Sequence, residues 1–264
     1  MTEEDFIFDG ETLSDYGYII VSDNMLDLDT AVSSMNYNTI QAARSDVSHK
    51  VGTSYEEKYT ADITIMKNPC SDENLDLTNN DISTLSKWLC RKEYKLFRWI
   101  DDIGQDEIWF EAKISIDKKV YGDSVIGLIL HVETNRPYGL TREFTNVWQN
   151  AQGNHVIYVN SDEEGYINPD MKITVNSDCD IEVYNYFEDR SMVINNCVAG
   201  EIITIKGGDT LQISSSITEH DLSSDFNYKF FRLCNLYHNN KNNIRVTGNC
   251  NMEIKYRGIR KVGM

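Results

Sequence analysis

Apolar and polar positions alternate along most of this chain, and the alternation predicts a protein built mainly of strands. Phe6 and Phe8 are spaced two apart within residues 5–9, and after Gly10 the β-branched and aromatic run at 16–21 predicts a second strand. Tyr59, Ala61, Ile63 and Ile65 share one side of a strand within residues 55–67. Runs at 94–100, 107–116 and 124–133 predict three more. Only one stretch carries a helical period. Ile82, Leu85, Trp88 and Leu89 fall at i, i+3, i+6 and i+7, with Asp81 as a favourable N-cap and Arg91 and Lys92 near the C-terminal end. This predicts a helix over about 81–91 that closes one face of a sheet. Residues 28–50 hold neither period and read as a long loop or extended arm, of a length that is uncommon inside a compact domain and often functional.

Residues 131–141, HVETNRPYGLT, mark a change of pattern near the middle of the chain. Beyond them the helical signal disappears. Strand-like runs follow at 144–159, 171–175, 181–185, 192–194, 201–205, 210–214, 226–233, 243–247 and 252–257, with a hairpin turn at Gly207-Gly208-Asp209. Short strands at this spacing predict a β-sandwich. The chain is therefore read as mainly β, with a β-rich domain over residues 1–137 carrying one helix and a sandwich over residues 138–264. The last strand is a candidate to pack back on the first domain.

Composition adds constraints. A hydrophobic content of 41% is enough for a sizeable core, and 264 residues suffice for two domains. The formal charge of −17 divides as about −13 over residues 1–137 and about −4 over the rest. Such a chain repels a phosphate backbone, which argues against a nucleic-acid surface. No apolar run reaches the length of a membrane span, and the acidic MTEEDFIFDG start lacks the pattern of a secretion signal, so the expectation is synthesis in a cytoplasm without membrane insertion. The six cysteines form no C-x-x-C pair and read as small buried hydrophobes. The basic ending, Lys255, Arg257, Arg260 and Lys261, is either a solvated tail or a segment that docks on the acidic first half.

Candidate chemistry is sparse. The five histidines form no metal-ligand pair, no G-x-S-x-G elbow exists, and Gly207-Gly208 lacks the lysine of a phosphate loop. Asp101-Asp102, Asp106-Glu107 and Asp162-Glu163-Glu164 read as solvated turns, because catalytic carboxyls must face each other across a cleft. Residues 176–180 supply only the beginning of a calcium pattern. Phe226, Tyr228 and Phe230, spaced two apart, read as a core face, while Tyr184, Tyr186 and Phe187 form a second aromatic cluster. No catalytic residue, metal site or cofactor is expected.

The order of several motifs resembles the distal tail proteins of long-tailed, non-contractile bacteriophages. They are the opening Phe6-x-Phe8-x-Gly10 with Tyr16-Gly17, the helix motif Leu85-Ser86-Lys87-Trp88-Leu89, and the junction Arg136-Pro137-Tyr138. In the second half they are GYINP at 165–169, GEIITI at 200–205, NIRVTG at 243–248 and IKYRGIR at 254–260. The resemblance implies a barrel-like N-terminal domain that assembles into a hexameric ring and a galectin-like C-terminal sandwich. It implies a non-enzymatic virion protein at the tail tip that joins the tail tube to the host-recognition apparatus. Expected partners are further copies of itself, the tail tube and tape-measure proteins, and a tail-associated lysin, fibre or receptor-binding protein, with DNA passing through the lumen without specific binding. By the same resemblance, residues 28–50 become the arm between subunits, with Leu28, Met35, Tyr37, Ile40, Arg44 and His49 as candidate interface residues. The alternative is a carbohydrate-binding module that recognises host-surface glycans through the sandwich; a glycosidase is a third and more distant reading.

Overall fold

A computed structural model of the chain describes residues 5–21, 35–41, 46–55, 58–71, 74–100, 107–208 and 210–261. The chain divides into two compact units, one of residues 1–140 together with the residues from Arg260 on, the other Thr141–Ile259. The first holds β1 (Asp5–Phe8), β2 (Glu11–Thr12), β3 (Tyr18–Ile20), β4 (Met35–Gln41), β5 (Ser48–Tyr55), β6 (Thr60–Lys67), α1 (Asn79–Leu89), β7 (Lys95–Ile100), β8 (Phe110–Tyr121), β9 (Ser124–Thr134) and β10 (Gly139–Leu140).

Seven of these strands form one antiparallel sheet in the order β2-β1-β7-β8-β9-β6-β3. Its two edges, β2 and β3, are consecutive in sequence and joined only by the 3₁₀ turn Leu13–Tyr16 and Gly17. A flat sheet would hold those edges six strand spacings, about 29 Å, apart. The six residue steps from Thr12 to Tyr18 reach about 21 Å even when fully extended. The sheet therefore curls toward closure, which gives the expected barrel-like form. Gly17, at φ 79°, ends the turn in the left-handed region that glycine enters without penalty.

Helix α1 packs on the inner surface of this sheet through Leu85, Trp88 and Leu89, all buried with Phe6, Phe8, Ile63, Ile65, Phe97, Leu128 and Leu130. The Trp88 indole N–H donates to the Phe8 carbonyl at 2.9 Å, and its ring stacks on Tyr16 at 4.4 Å. The helix begins at Asn79, not at 81. Thr78 is the cap, its hydroxyl accepting from the Asp81 N–H while the Asp81 carboxylate accepts from the Thr78 N–H at 2.8 Å. Asp81 thus belongs to a reciprocal capping pair one turn in. Its carboxyl is held below the ordinary range, first by the bond from the Thr78 backbone.

The second unit holds β11 (Phe144–Trp148), β12 (Gly153–Tyr158), β13 (Gly165–Ile167), β14 (Asp170–Val175), β15 (Cys179–Asn185), β16 (Arg190–Cys197), β17 (Ile202–Lys206), β18 (Gln212–Ser215), α2 (Leu222–Asp225), β19 (Leu233–Asn235), β20 (Lys241–Thr247) and β21 (Cys250–Tyr256), with β22 (Ile259–Arg260) last. A five-stranded sheet, β11-β21-β14-β17-β18, and a four-stranded sheet, β12-β20-β15-β16, bury alternate residues in one shared core. Met171, Ile173 and Val175 come from the first sheet, and Ile181, Val183, Ile244 and Val246 from the second. This is a sandwich.

Several expectations are corrected. Residues 226–232 are not a strand. The short helix α2 precedes them, Tyr228 takes φ 57° and lies 63% exposed, and only Phe226 and Phe231 are fully buried. A kinked segment breaks the two-residue alternation that the aromatic spacing implied. The basic ending is no tail, because β21 lies between β11 and β14, Lys255 pairs with Glu253 at 2.7 Å and Arg257 donates to the Thr141 carbonyl at 3.0 Å. Cys197, Cys234 and Cys250 are buried, and burial pushes their thiols up to about 12, 12 and 11. Cys70 and Cys90, however, are exposed.

Candidate assembly surface

The segment read as a loop or arm is a two-stranded ribbon. β4 and β5 pair only with each other, from Met35↔Tyr55 to Gln41↔Ser48, and β5 carries one extra residue, Val51, at a bulge between Lys50 and Gly52. The loop reading failed because Asn36, Asn38 and Thr39 dilute the apolar alternation. The two-residue spacing of Met35, Tyr37 and Thr39 was nevertheless the available signal.

Both faces of the ribbon meet solvent. Tyr37 is 64% exposed, Ile40 62%, Val47 59% and Val51 63%. Tyr37 lies near Lys50, whose ammonium stands 5.0 Å from its ring centroid. On the opposite side of the bulge, Ile40 is in register with the exposed His49. At the base, Tyr55 meets Tyr138 with ring centroids 5.3 Å apart. Of the six expected interface residues, Tyr37, Ile40 and His49 therefore lie on one ribbon, and Met35 begins it. Leu28 and Arg44 lie outside the described residues, as does the Met35 side chain. Lys50, Val47 and Val51, which are also exposed, were not singled out in the sequence. Among the described residues no third strand joins the ribbon; an isolated two-stranded ribbon is marginal in water, and exposed apolar side chains gathered on one element mark an interaction surface.

Two histidine clusters stand elsewhere. His131 bridges Asp62 at 2.6 Å and Asp117 at 3.1 Å across neighbouring strands β6, β9 and β8, and these bonds raise its pKa. His220 is 5% exposed and meets Glu201 at 2.6 Å, the Asn195 carbonyl at 3.0 Å and Asp225 at 3.4 Å. Burial is the largest single influence and would lower its pKa, but the bond to Glu201, the Glu201 charge, the Asn195 carbonyl and Asp225 together raise it. The Ser215 hydroxyl binds Glu201 and not the imidazole, so the trio lacks the serine-to-histidine bond of a nucleophilic triad. Among the described residues no group of histidine, cysteine and carboxylate side chains is arranged to hold a metal. Asp178 and Asp180, in the segment weighed for calcium, accept from the Ala199 and Asn196 N–H groups. The aromatic clusters weighed for sugar binding divide. Trp148 lies flat on His155 at 3.9 Å against the core, whereas Tyr184 and Tyr186 meet edge to face at 4.7 Å, with Tyr186 50% exposed.

Residues 1–136 match a family described as phage tail protein N-terminal domain, and residues 138–256 match one described as phage tail C-terminal domain. The fold is similar to the crystal structure of the Dit protein (gp 19.1) of phage SPP1, described as a paradigm of hub adsorption apparatus in phages infecting Gram-positive hosts. That likeness has a TM-score of 0.60 at 12% identity over 96% of this chain and 98% of the other. It is also similar to a chain of the phage P2 baseplate in its activated conformation with Ca, with a TM-score of 0.54 at 8% identity over 97% and 98%. No curated protein matches the sequence.

Proposed function

The chain belongs to a phage tail protein family whose N-terminal and C-terminal domains it carries in order, and from that premise we propose that it is a distal tail subunit that builds a hub ring at the tail tip. It is a structural component of the virion with a Dit-like fold. The observation that carries the assembly reading is the ribbon of β4 and β5, which with the adjoining Val47 exposes Tyr37, Ile40 and Val51 and pairs with no further strand among the described residues. In a ring, a neighbouring copy covers that surface. Six copies, a link from tail tube to host-recognition apparatus, contact with tape-measure and fibre or lysin proteins, and passage of DNA through the lumen complete the proposal. The five-on-four sandwich is read as its galectin-like outward domain. The acidic excess of residues 1–137 suits a lumen wall from which DNA slides freely, since like charges repel.

Light scattering on the purified chain tests the assembly. A particle of about six subunits is expected, and the double substitution Ile40→Asp, Val51→Asp shifts it to monomer while the circular dichroism spectrum stays that of the folded chain. A monomeric parent chain, or a ring indifferent to both substitutions, removes the role given to the ribbon. An image of the ring with a basic lumen removes the role given to the charge.

A further inference from the structure

A cleft of about 460 Å³ opens in the second unit between the loop 159–164 and the loop 235–240. Its volume falls within the range of small-ligand sites. The two loops are locked to each other by bonds that leave the rim groups in place. The Val159 N–H donates to the Asn240 carbonyl at 3.0 Å, and the Asn240 amide returns a bond to the Val159 carbonyl at 3.0 Å. The buried Asn235 amide donates to the carbonyls of Ser161, at 2.9 Å, and Glu163, at 2.7 Å. The Tyr237 N–H donates to Glu164 Oε1 at 2.7 Å. Beneath them, Gly258 lets the chain pass against Asn160, where a Cβ would stand 2.0 Å from the carbonyl oxygen. Such preorganisation lowers the entropic cost of binding.

The rim chemistry is specific. Tyr237 sits at the tip of a tight hairpin closed by reciprocal backbone bonds between Leu236 and Asn239, both at 2.9 Å. Its ring is 82% exposed and is steadied by an edge contact with His238 at 4.5 Å. Around it stand Asp162, Glu164, Asn160 and Asn239. Among the described residues that line the cleft there is no lysine or arginine. Carboxylates and amides accept from and donate to adjacent hydroxyls, and an exposed tyrosine supplies a rigid amphipathic face. The two carboxylates in the lining disfavour phosphate and other anions.

We propose that this cleft is a binding site for a neutral sugar ring, stacked on Tyr237 and hydrogen-bonded by Asp162, Glu164 and the flanking amides. Neither Tyr184 nor Trp148 lines it, and it does not depend on ring assembly. A hexose of about twelve heavy atoms at ordinary ligand efficiency binds near ~1 mM. The test is saturation-transfer NMR on the full chain with D-glucose, D-galactose and N-acetyl-D-glucosamine, and with glycerol 3-phosphate as the anionic comparator. At least one sugar receives saturation, and Tyr237→Ala weakens it at least tenfold, while Tyr237→Phe retains it and Asp162→Asn weakens it in part. Because Tyr237 buries little, both tyrosine variants keep the parental melting temperature and the parental particle size. No saturation of any sugar at about 20 mM, well above the expected affinity, overturns the proposal. So does sugar binding unaltered by Tyr237→Ala, or preference for glycerol 3-phosphate.

Discussion

β4 and β20 are both seven-residue strands in antiparallel pairs, yet they meet opposite surroundings. β20 alternates strictly, burying Asn242, Ile244 and Val246 and exposing Lys241, Asn243, Arg245 and Thr247. β4 pairs along its whole length with β5, but its described side chains are all exposed. The backbone bonding is the same in kind, so it cannot account for the difference. β20 lies between β12 and β15 over a shared core, whereas β4, among the described residues, pairs with β5 alone. Ladder bonds replace bonds to water at little net gain, while buried apolar area drives stability. The contrast teaches that β20 draws stability from a core it shares, whereas none of the described side chains of β4 is buried.

That contrast can be broken or sharpened by experiment. The largest effect is expected from Ile244→Ala, which empties a fully buried site and costs about 2–5 kcal/mol. It appears as a lower urea midpoint at unchanged slope, and a midpoint like the parent's would dissolve the distinction between the strands. Next comes Asn242→Ala on the same buried face. Asn242 Oδ1 accepts from the Cys234 N–H at 2.8 Å and from the Asn185 amide at 3.0 Å. Stranding these buried donors costs about 1–3 kcal/mol by the same measurement, and a stabilised variant would show that the polar pair is dispensable.

Thr78→Ala removes the α1 cap and costs about 1 kcal/mol. Faster hydrogen exchange confined to the first turn of α1 checks that the loss is local.

A pH effect is expected from each unit, through His131 in the first and His220 in the second. The raised pKa of His220 makes its contribution full below its ordinary 6.5 and lost as pH rises through the folded value. Glu201 has the opposite sign. Burial would raise its pKa, but the bonds from Ser215 and His220 lower it, so its contribution is present above its ordinary 4.5 and lost as pH falls through the folded value. The pair is most stabilising between about pH 4.5 and 6.5. Thermal melts across pH should show a decline on the alkaline side that His220→Gln reduces and that His131 still supplies in part; an identical profile in the variant would refute the assignment. The smallest effect belongs to the ribbon. Ile40→Ser with Val51→Ser should leave the urea midpoint of dissociated subunits within about 0.5 kcal/mol of the parent. A larger loss would mean that the ribbon already packs on its own subunit.

Much of the fold was legible because burial imposes period. The alternation at Tyr59, Ala61, Ile63 and Ile65 marks β6, and all four are buried. The spacing of Leu85, Trp88 and Leu89 marks α1, the only long helix among the described residues. Legibility failed where no core imposes a period. β4–β5 faces solvent on both sides, and residues 226–232 reach the core through a kink. The sugar cleft was not legible at all. Asp162 and Glu164 are distant in sequence from Tyr237 and His238, and bonds that bridge more than 70 residues bring the loops together.

By itself the sequence determined the mainly β class, the single long helix and the change of pattern near Pro137, because side-chain period and backbone chemistry are local properties. Motif order determined the resemblance to phage distal tail proteins. Only the tertiary structure decided that the seven-stranded sheet curls, because a five-residue link must join its two edges. It also decided that residues 35–41 and 48–55 pair as a ribbon, that Thr78 and not Asp81 caps α1, and that two remote loops frame a cleft around Tyr237. Each of these depends on which distant residues become neighbours, and local periodicity does not specify those pairings.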